Sequence, residues 1–178
     1  MGNRIVLDAI ETHAEGEPSR IVTSAAELVL GTTMAERFAY CVENLHWLRQ
    51  LLLREPRGYP TLCAVLVLPP VNPGSHFGII VLEQGGFTPM SGSNTICTVT
   101  AAVETGLVPV PPGASSVEVV IDTAVGTVRA TAQLDGSKVR TVTVANVPSY
   151  VVAIDHPLEV PEFGTVAVDI VFGGQFFA

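Results

Sequence analysis

Basic side chains are scarce in this sequence: Lys and Arg number 9 against 17 Asp and Glu, a net charge of −8 over 178 residues. That balance argues against a nucleic-acid backbone or an anionic membrane surface as partner, since either would call for clustered cations. Cysteine is sparse too. Cys41, Cys63 and Cys97 are odd in number, far apart and form no C-x-x-C. They argue against a disulfide framework and a zinc ribbon, and they make the reducing cytoplasm the expected compartment. No apolar run reaches membrane-spanning length, because Pro69, Pro70 and scattered charges interrupt each one. Met1–Ile10 shows no signal-peptide core, and Val6 stands where a myristoylated Met1-Gly2 start would carry Ser or Thr. Phosphate-loop and dinucleotide fingerprints are missing, as are repeats and low-complexity linkers.

What is present is apolar. Hydrophobic residues make up 48% and charged residues 15%, enough to build a real core in one domain, or in one domain plus part of a second. Most of the chain predicts strands: Ile5–Ile10, Leu62–Leu68, Phe77–Leu82, Val117–Ile121, Val128–Leu134, Val139–Ala145 and Val166–Phe172 are short runs rich in Val and Ile between Gly, Pro, Asn and Asp. Thr33–Leu53 departs from that rhythm. Thr33 and Glu36 form a T-x-x-E capping box, and Met34, Phe38, Cys41, Leu45, Leu48 and Leu52 recur at helical spacing. This is an amphipathic helix lying on a sheet. Asn94–Thr105 also reads as a helix, stopped by Gly106, but it has no polar face beyond small threonines. A helix that is apolar all round is a buried one. A turn at Asp122–Gly126 separates the helix-containing part from an almost purely strand-like remainder, so the expected units are 1–124 and 125–178.

Pro89-Met90-Ser91-Gly92-Ser93-Asn94-Thr95 precedes the buried helix. Small residues there let a ligand approach the backbone, and the unpaired N–H groups of the first turn attract an anion such as a carboxylate. Ser91 would stand within reach of whatever those donors hold. The plainer reading is that Ser91 or Ser93 merely caps the helix. His13, Glu15 and Glu17 would share one face of an extended strand, as metal ligands must. Gly16 and Pro18 suggest that the chain turns there, leaving exposed acidic side chains. His46, His76 and His156 have no companions at ligand spacing.

Six stretches together resemble the proline racemase family, which includes hydroxyproline 2-epimerases and trans-3-hydroxy-L-proline dehydratases. They are I-E-T-H-A-E-G-E-P-S-R-I-V (Ile10–Val22), L-L-R-E-P-R-G (Leu52–Gly58), F-T-P-M-S-G-S-N-T-I-C (Phe87–Cys97), E-T-G (Glu104–Gly106), N-V-P-S-Y (Asn146–Tyr150) and F-G-G-Q-F-F-A (Phe172–Ala178). The resemblance implies a pseudo-symmetric α/β fold like that of diaminopimelate epimerase, a β-barrel-like sheet around a central buried helix in each of two similar domains. It implies an active site between the domains, one acid/base residue from each half, and no metal or organic cofactor. Ser91 falls where the family has its first acid/base, commonly a cysteine. Gly92 and Ser93 fall where backbone and side chain contact the substrate, and many epimerases have histidine at the position of Ser93.

Two departures shape the expectation. A serine hydroxyl is a far weaker acid than a thiol, so Ser91 needs more help from the helix terminus. Members of this serine type resemble the trans-3-hydroxy-L-proline dehydratases, and dehydration is therefore the favoured reaction. Epimerisation of 4-hydroxyproline or racemisation of proline is the alternative. Nothing matches the family's second catalytic segment, Asp-x-x-x-Cys-Gly-Thr, and the aromatic terminus is expected to be an interior point of a longer protein. A catalytically inactive chain or a binding module is the reading from another class. The expected partner is a small molecule, proline or hydroxyproline, with neither nucleic acid nor membrane; a homodimer is one assembly the resemblance allows.

Overall fold

The computed structural model describes residues 5–178; the Met1-Gly2 pair lies outside the described residues. Strands β1 (Ala9–Ala14) and β2 (Glu17–Val22) form an antiparallel hairpin. Its turn is made by Glu15 and Gly16, both left-handed with φ of 49° and 95°. That turn sets the register from Ala14↔Glu17 back to Ala9↔Val22, which is why the first strand starts at Ala9 rather than at the expected Ile5.

Strand β2 pairs in parallel with β3 (Cys63–Leu68), and a parallel pair demands a crossover. Helices α1 (Met34–Asn44) and α2 (His46–Leu53) supply it. The single helix expected over Thr33–Leu53 is interrupted at Leu45 (φ −112°, ψ 21°). Asn44 is the last residue before the break, and its side-chain amide donates to Tyr40 O at 3.0 Å, one turn back. At the other end Thr33 Oγ1 accepts from Glu36 N while the Glu36 carboxylate accepts from Thr33 N, the reciprocal box read from the sequence.

Strand β4 (Phe77–Leu82) lies antiparallel to β3 and carries the short β5 (Phe87–Thr88). Helix α3 (Gly92–Glu104) then crosses to β6 (Ser116–Thr123), parallel to β4. Strands β7 (Gly126–Asp135) and β8 (Lys138–Ala145) complete the eight-stranded sheet, in the order β1-β2-β3-β4-β6-β7-β8 with β5 beside β4.

The two helical layers lie on opposite faces. Because side chains alternate along a strand, Val65, Val67, Phe77, Ile79 and Val81 join the cluster around α3. Their neighbours Ala64, Leu66, Leu68, Ile80 and Leu82 join the cluster beneath α1 and α2. Helix α3 touches β1 and β8, the two ends of the sheet path, as well as β2, β3 and β7. The sheet therefore wraps around it.

Residues 124–125, where the composition shift suggested a boundary, form the turn of the β6–β7 hairpin within one sheet. The change of sheet falls between Ala145 and Tyr150. Beyond it β9 (Tyr150–Val160), β10 (Gly164–Phe172) and β11 (Phe176–Phe177) form a separate antiparallel sheet, its faces largely exposed. It is anchored at its base, where Phe172 packs on the Met90, Val128 and Val147 cluster.

Candidate active site

Helix α3 can be buried because its threonines satisfy themselves. The hydroxyls of Thr95, Thr98, Thr100 and Thr105 donate to Ser91 O, Asn94 O, Ile96 O and Ala101 O, each four residues back, at 2.7–2.9 Å. The helix thus presents methyl groups on all sides. Its interior position carries the first turn to the end of the wrapped sheet.

Ser91 is the residue at the helix start, with extended backbone (φ −145°, ψ 129°). Its carbonyl accepts the first intrahelical bond, from Thr95 N at 3.0 Å. A helix start leaves the N–H groups ahead of that bond, those of Gly92, Ser93 and Asn94, without an intrahelical partner. The Ser91 side chain caps none of them. The plainer reading of Ser91 as a side-chain cap is therefore not what the structure holds. Its Oγ instead accepts from Asn94 Nδ2 at 2.9 Å and lies 3.5 Å from Ser93 Oγ. Gly92 is exposed, and a Cβ built there would meet nothing within 4 Å. Open space thus stands before unpaired backbone donors and two hydroxyls, with no acidic side chain in the first turn to repel an anion.

Asn94 and Ser19 are polar residues buried to 1% exposure, and neither was singled out from the sequence. Ser19 Oγ donates to Asn94 Oδ1 at 2.6 Å. The partners stand 75 positions apart, and no local pattern announces the pair. The cysteines nearby are poor proton-transfer groups. Burial pushes the Cys97 thiol up, against a smaller opposing bond from Thr12. Burial raises Cys63 as well, opposed by its contact with Asn94, and on the other face of the sheet it lifts Cys41 to about 12. All three cysteines are unpaired.

The other singled-out residues stay apart. His13, Glu15 and Glu17 are exposed on the β1–β2 hairpin, where His13 Nδ1 accepts from Gly16 N at 3.3 Å. No three His, Cys, Asp or Glu side chains gather at metal-holding distances among the described residues. His46 packs edge-on against Phe87, His76 Nδ1 accepts from Val120 N at 3.0 Å, and His156 lies exposed on β9. No helix among the described residues is long and apolar enough to cross a membrane.

Comparison with known proteins adds the following. The family model described as proline racemase matches residues 9–178. The chain is 43% identical over 173 residues to proline racemase A of Trypanosoma cruzi, covering 95% of this chain and 41% of that protein. It is 34% identical over 178 residues to a 4-hydroxyproline 2-epimerase of Streptosporangium roseum, covering 100% of this chain and 53% of that protein. It is 36% identical over 173 residues to a trans-3-hydroxy-L-proline dehydratase of Bacillus cereus, covering 97% of this chain and 51% of that protein. A crystal structure of a probable proline racemase from Agrobacterium radiobacter K84 with bound carbonate superposes with a TM-score of 0.87 at 32% identity, over 96% of this chain and 50% of that one. A hydroxyproline epimerase from Agrobacterium vitis with bound trans-4-hydroxy-L-proline superposes at 0.86 and 29% identity, with the same coverages. The chain spans about half the length of the curated relatives it matches.

Proposed function

Because the chain belongs to the proline racemase family, we propose that it contributes the first half of an active site that removes the Cα proton of proline or a hydroxyproline. Ser91 is the acid/base on one face of the substrate. Gly92 and Ser93 hold the substrate carboxylate with their backbone N–H groups and, at Ser93, the hydroxyl. The observation that carries this reading is Ser91 Oγ, free of any capping bond and poised over the open start of a buried helix. Charge that develops as Cα loses its proton spreads onto the carboxylate, where the helix terminus stabilises it. The chemistry asks only for proton transfer, so this reading includes no cofactor.

The reaction we favour is dehydration of trans-3-hydroxy-L-proline. The Cα–H electron pair becomes the C2–C3 double bond, the proton passes to the ionised Ser91 Oγ, whose own proton has gone to solvent, and the 3-hydroxyl takes a proton from solvent and leaves as water. Position 91 then acts chiefly as a base, a role that a hydroxyl of high pKa fills only where its surroundings favour the ionised form. The second reading, racemisation or epimerisation, is favoured by the identity to proline racemase A and to the 4-hydroxyproline epimerase. It requires an acid on the opposite face of Cα, which in this proposal comes from outside residues 5–178. The division into two units remains part of the proposal, supported by the change of sheet at 146–149. A cytoplasmic location fits the unpaired cysteines.

The test uses the full-length protein in D2O with proline, 4-hydroxyproline and trans-3-hydroxy-L-proline, followed by proton NMR. Loss of the trans-3-hydroxy-L-proline ring signals to an unsaturated product supports dehydration. Solvent deuterium at Cα with inverted configuration supports the second reading. No turnover of any of the three leaves the inactive or binding-module reading standing and overturns the proposal.

A further inference from the structure

The Asn94 side chain is more completely committed than a helix-surface residue needs to be. It lies in the first turn of α3 at 1% exposure, where an apolar residue would pack without hydrogen-bond demands. Its carbonyl oxygen is taken by the Ser19 hydroxyl, which at 2.6 Å can only donate to it. That bond fixes the rotation of the amide and turns Nδ2 toward Ser91 Oγ, 2.9 Å away. The same amide faces Cys63, where its contact opposes the upward push of burial, as an N–H donor to sulfur would. Ser19, on β2, is itself 1% exposed, so solvent cannot exchange for it.

We infer that Asn94 is a positioning residue for Ser91: it holds Oγ at the helix mouth and donates an N–H to the oxygen that takes the substrate proton, with Ser19 locking the amide in the donating orientation. The inference rests on the reading of Ser91 as the acid/base. Its physical basis is that a hydrogen bond donated to the charged form of a group favours that form, and a serine needs this more than the family's usual cysteine does. Glu17 and Glu83, carboxylates on the flanking elements, act on Cys63 in the raising sense. At Ser91 the donated N–H acts together with the open start of α3, and both favour an anion.

A tether would need the same bonds, so the experiment reads something that a tether does not move. Ser91→Cys places a titratable thiol at the end of the Asn94 amide. Its ionisation is followed by ultraviolet thiolate absorbance and by the pH dependence of iodoacetamide alkylation, with the unsubstituted protein as the background for Cys41, Cys63 and Cys97. Adding Asn94→Ala removes one hydrogen bond to the thiolate and is expected to raise the midpoint by about one pH unit. Asn94→Leu, nearly isosteric and uncharged, removes the donor without adding a charge and is expected to raise it by a similar amount. Ser19→Ala frees the amide to turn and gives a smaller rise. An unchanged midpoint in Asn94→Leu, with only the melting temperature lowered, overturns the inference and leaves Asn94 as a tether. Asn94→Leu and Ser19→Ala keep the test decisive if Asn94→Ala does not fold. Because no substrate is involved, a failure here is distinct from a failure of Ser91 to support turnover.

Discussion

Ser19 and Asn94 stand 75 positions apart in the chain, yet their side chains meet at 2.6 Å. The bond fastens the mouth of α3 to strand β2 inside the protein, where water cannot compete for either partner. The next residue, Arg20, reaches the opposite layer and donates to Leu52 O at 2.6 Å and Arg57 O at 2.7 Å. Adjacent residues of one strand thus hold both helical layers, because successive side chains leave a strand on opposite faces.

Ser91 makes no capping bond, but its Oγ is the acceptor of the buried Asn94 amide. Ser91→Ala in the full-length protein is expected to lower turnover by about 10²–10⁴-fold. The melting temperature should fall too, because a buried donor left without a partner costs about 1–3 kcal/mol, far too little to explain that loss of turnover in protein that is still folded. Ser91→Cys should retain more activity than Ser91→Ala, since it keeps a group that can carry the proton. Near-native turnover by Ser91→Ala, measured beside its melting curve, removes Ser91 from the chemistry.

Asp122 is the hub of the loop before β4. Its carboxylate accepts from Val71 N, Asn72 N, Asn72 Nδ2 and Ser75 Oγ at 2.7–3.0 Å. Burial alone would raise this carboxyl, but the bonds from Asn72, Ser75 and Val71 outweigh it and hold it below the ordinary value. A lowered folded value means that the stabilisation is complete above the unfolded value, about 3.9, and is lost as pH falls through the lower folded one. Asp122→Asn should therefore be less stable than the parent at neutral pH and lose less on acidification. Urea midpoints at pH 7 and pH 3 check both expectations.

The capping box at α1 gives a smaller and cleaner signal. Thr33→Ala removes the acceptor of Glu36 N and is expected to cost about 0.5–2 kcal/mol, read from the urea midpoint. Glu36 is held below the usual carboxylate range by Thr32, through its hydroxyl and its backbone N–H, and by Thr33 N. Its contribution should disappear on the acidic side, so Glu36→Gln should converge with the parent there, while the Thr33→Ala deficit, which comes from a bond with no titrating partner, should persist.

Gly174 and Gly136 form a matched pair of probes. Both are left-handed, with φ of 103° and 62°, so alanine at either site carries backbone strain of about 1–2 kcal/mol. Only at Gly174 would the new Cβ also press on Met90, 3.2 Å from its Cβ, while at Gly136 it would meet nothing within 4 Å. Met90 directly precedes Ser91. Gly174→Ala should lower turnover as well as stability, whereas Gly136→Ala should lower stability alone; equal turnover in the two variants would detach the second sheet from the site.

Much of this was legible in the sequence. The Val and Ile runs of β3, β4, β6 and β7 read as strands because burial on one or both faces leaves no other pattern. Asn94–Thr105 read as a buried helix from its missing polar face, and Ser91 stood out at its start. Strand β2 did not, because Glu17, Pro18, Ser19 and Arg20 look like a turn; the hairpin and the α2 crossover put them to use. Strand β9 was hidden by the polar Asp155 and His156, and by Pro157, which cannot donate to a ladder, on an exposed sheet with an irregular register beside β10. The break at Leu45 was invisible because the apolar spacing continues through it. The Asn94–Ser19 pair could not be read at all, for a contact across 75 residues leaves no periodicity.

Helix α3 touches both the first and the last strand of the sheet that surrounds it. Beyond its first turn no local opening can then expose its amides, because freeing the helix means parting it from both β1 and β8. Those protons should exchange with solvent only when the whole unit comes apart, while those of α1 and α2, packed on one outer face, can exchange through smaller openings. The mouth at Ser91, whose first N–H groups already face open space, inherits that rigidity. A substrate would meet donors that cannot retreat from the anion they hold, and whatever motion catalysis requires falls to the loops and to the second sheet.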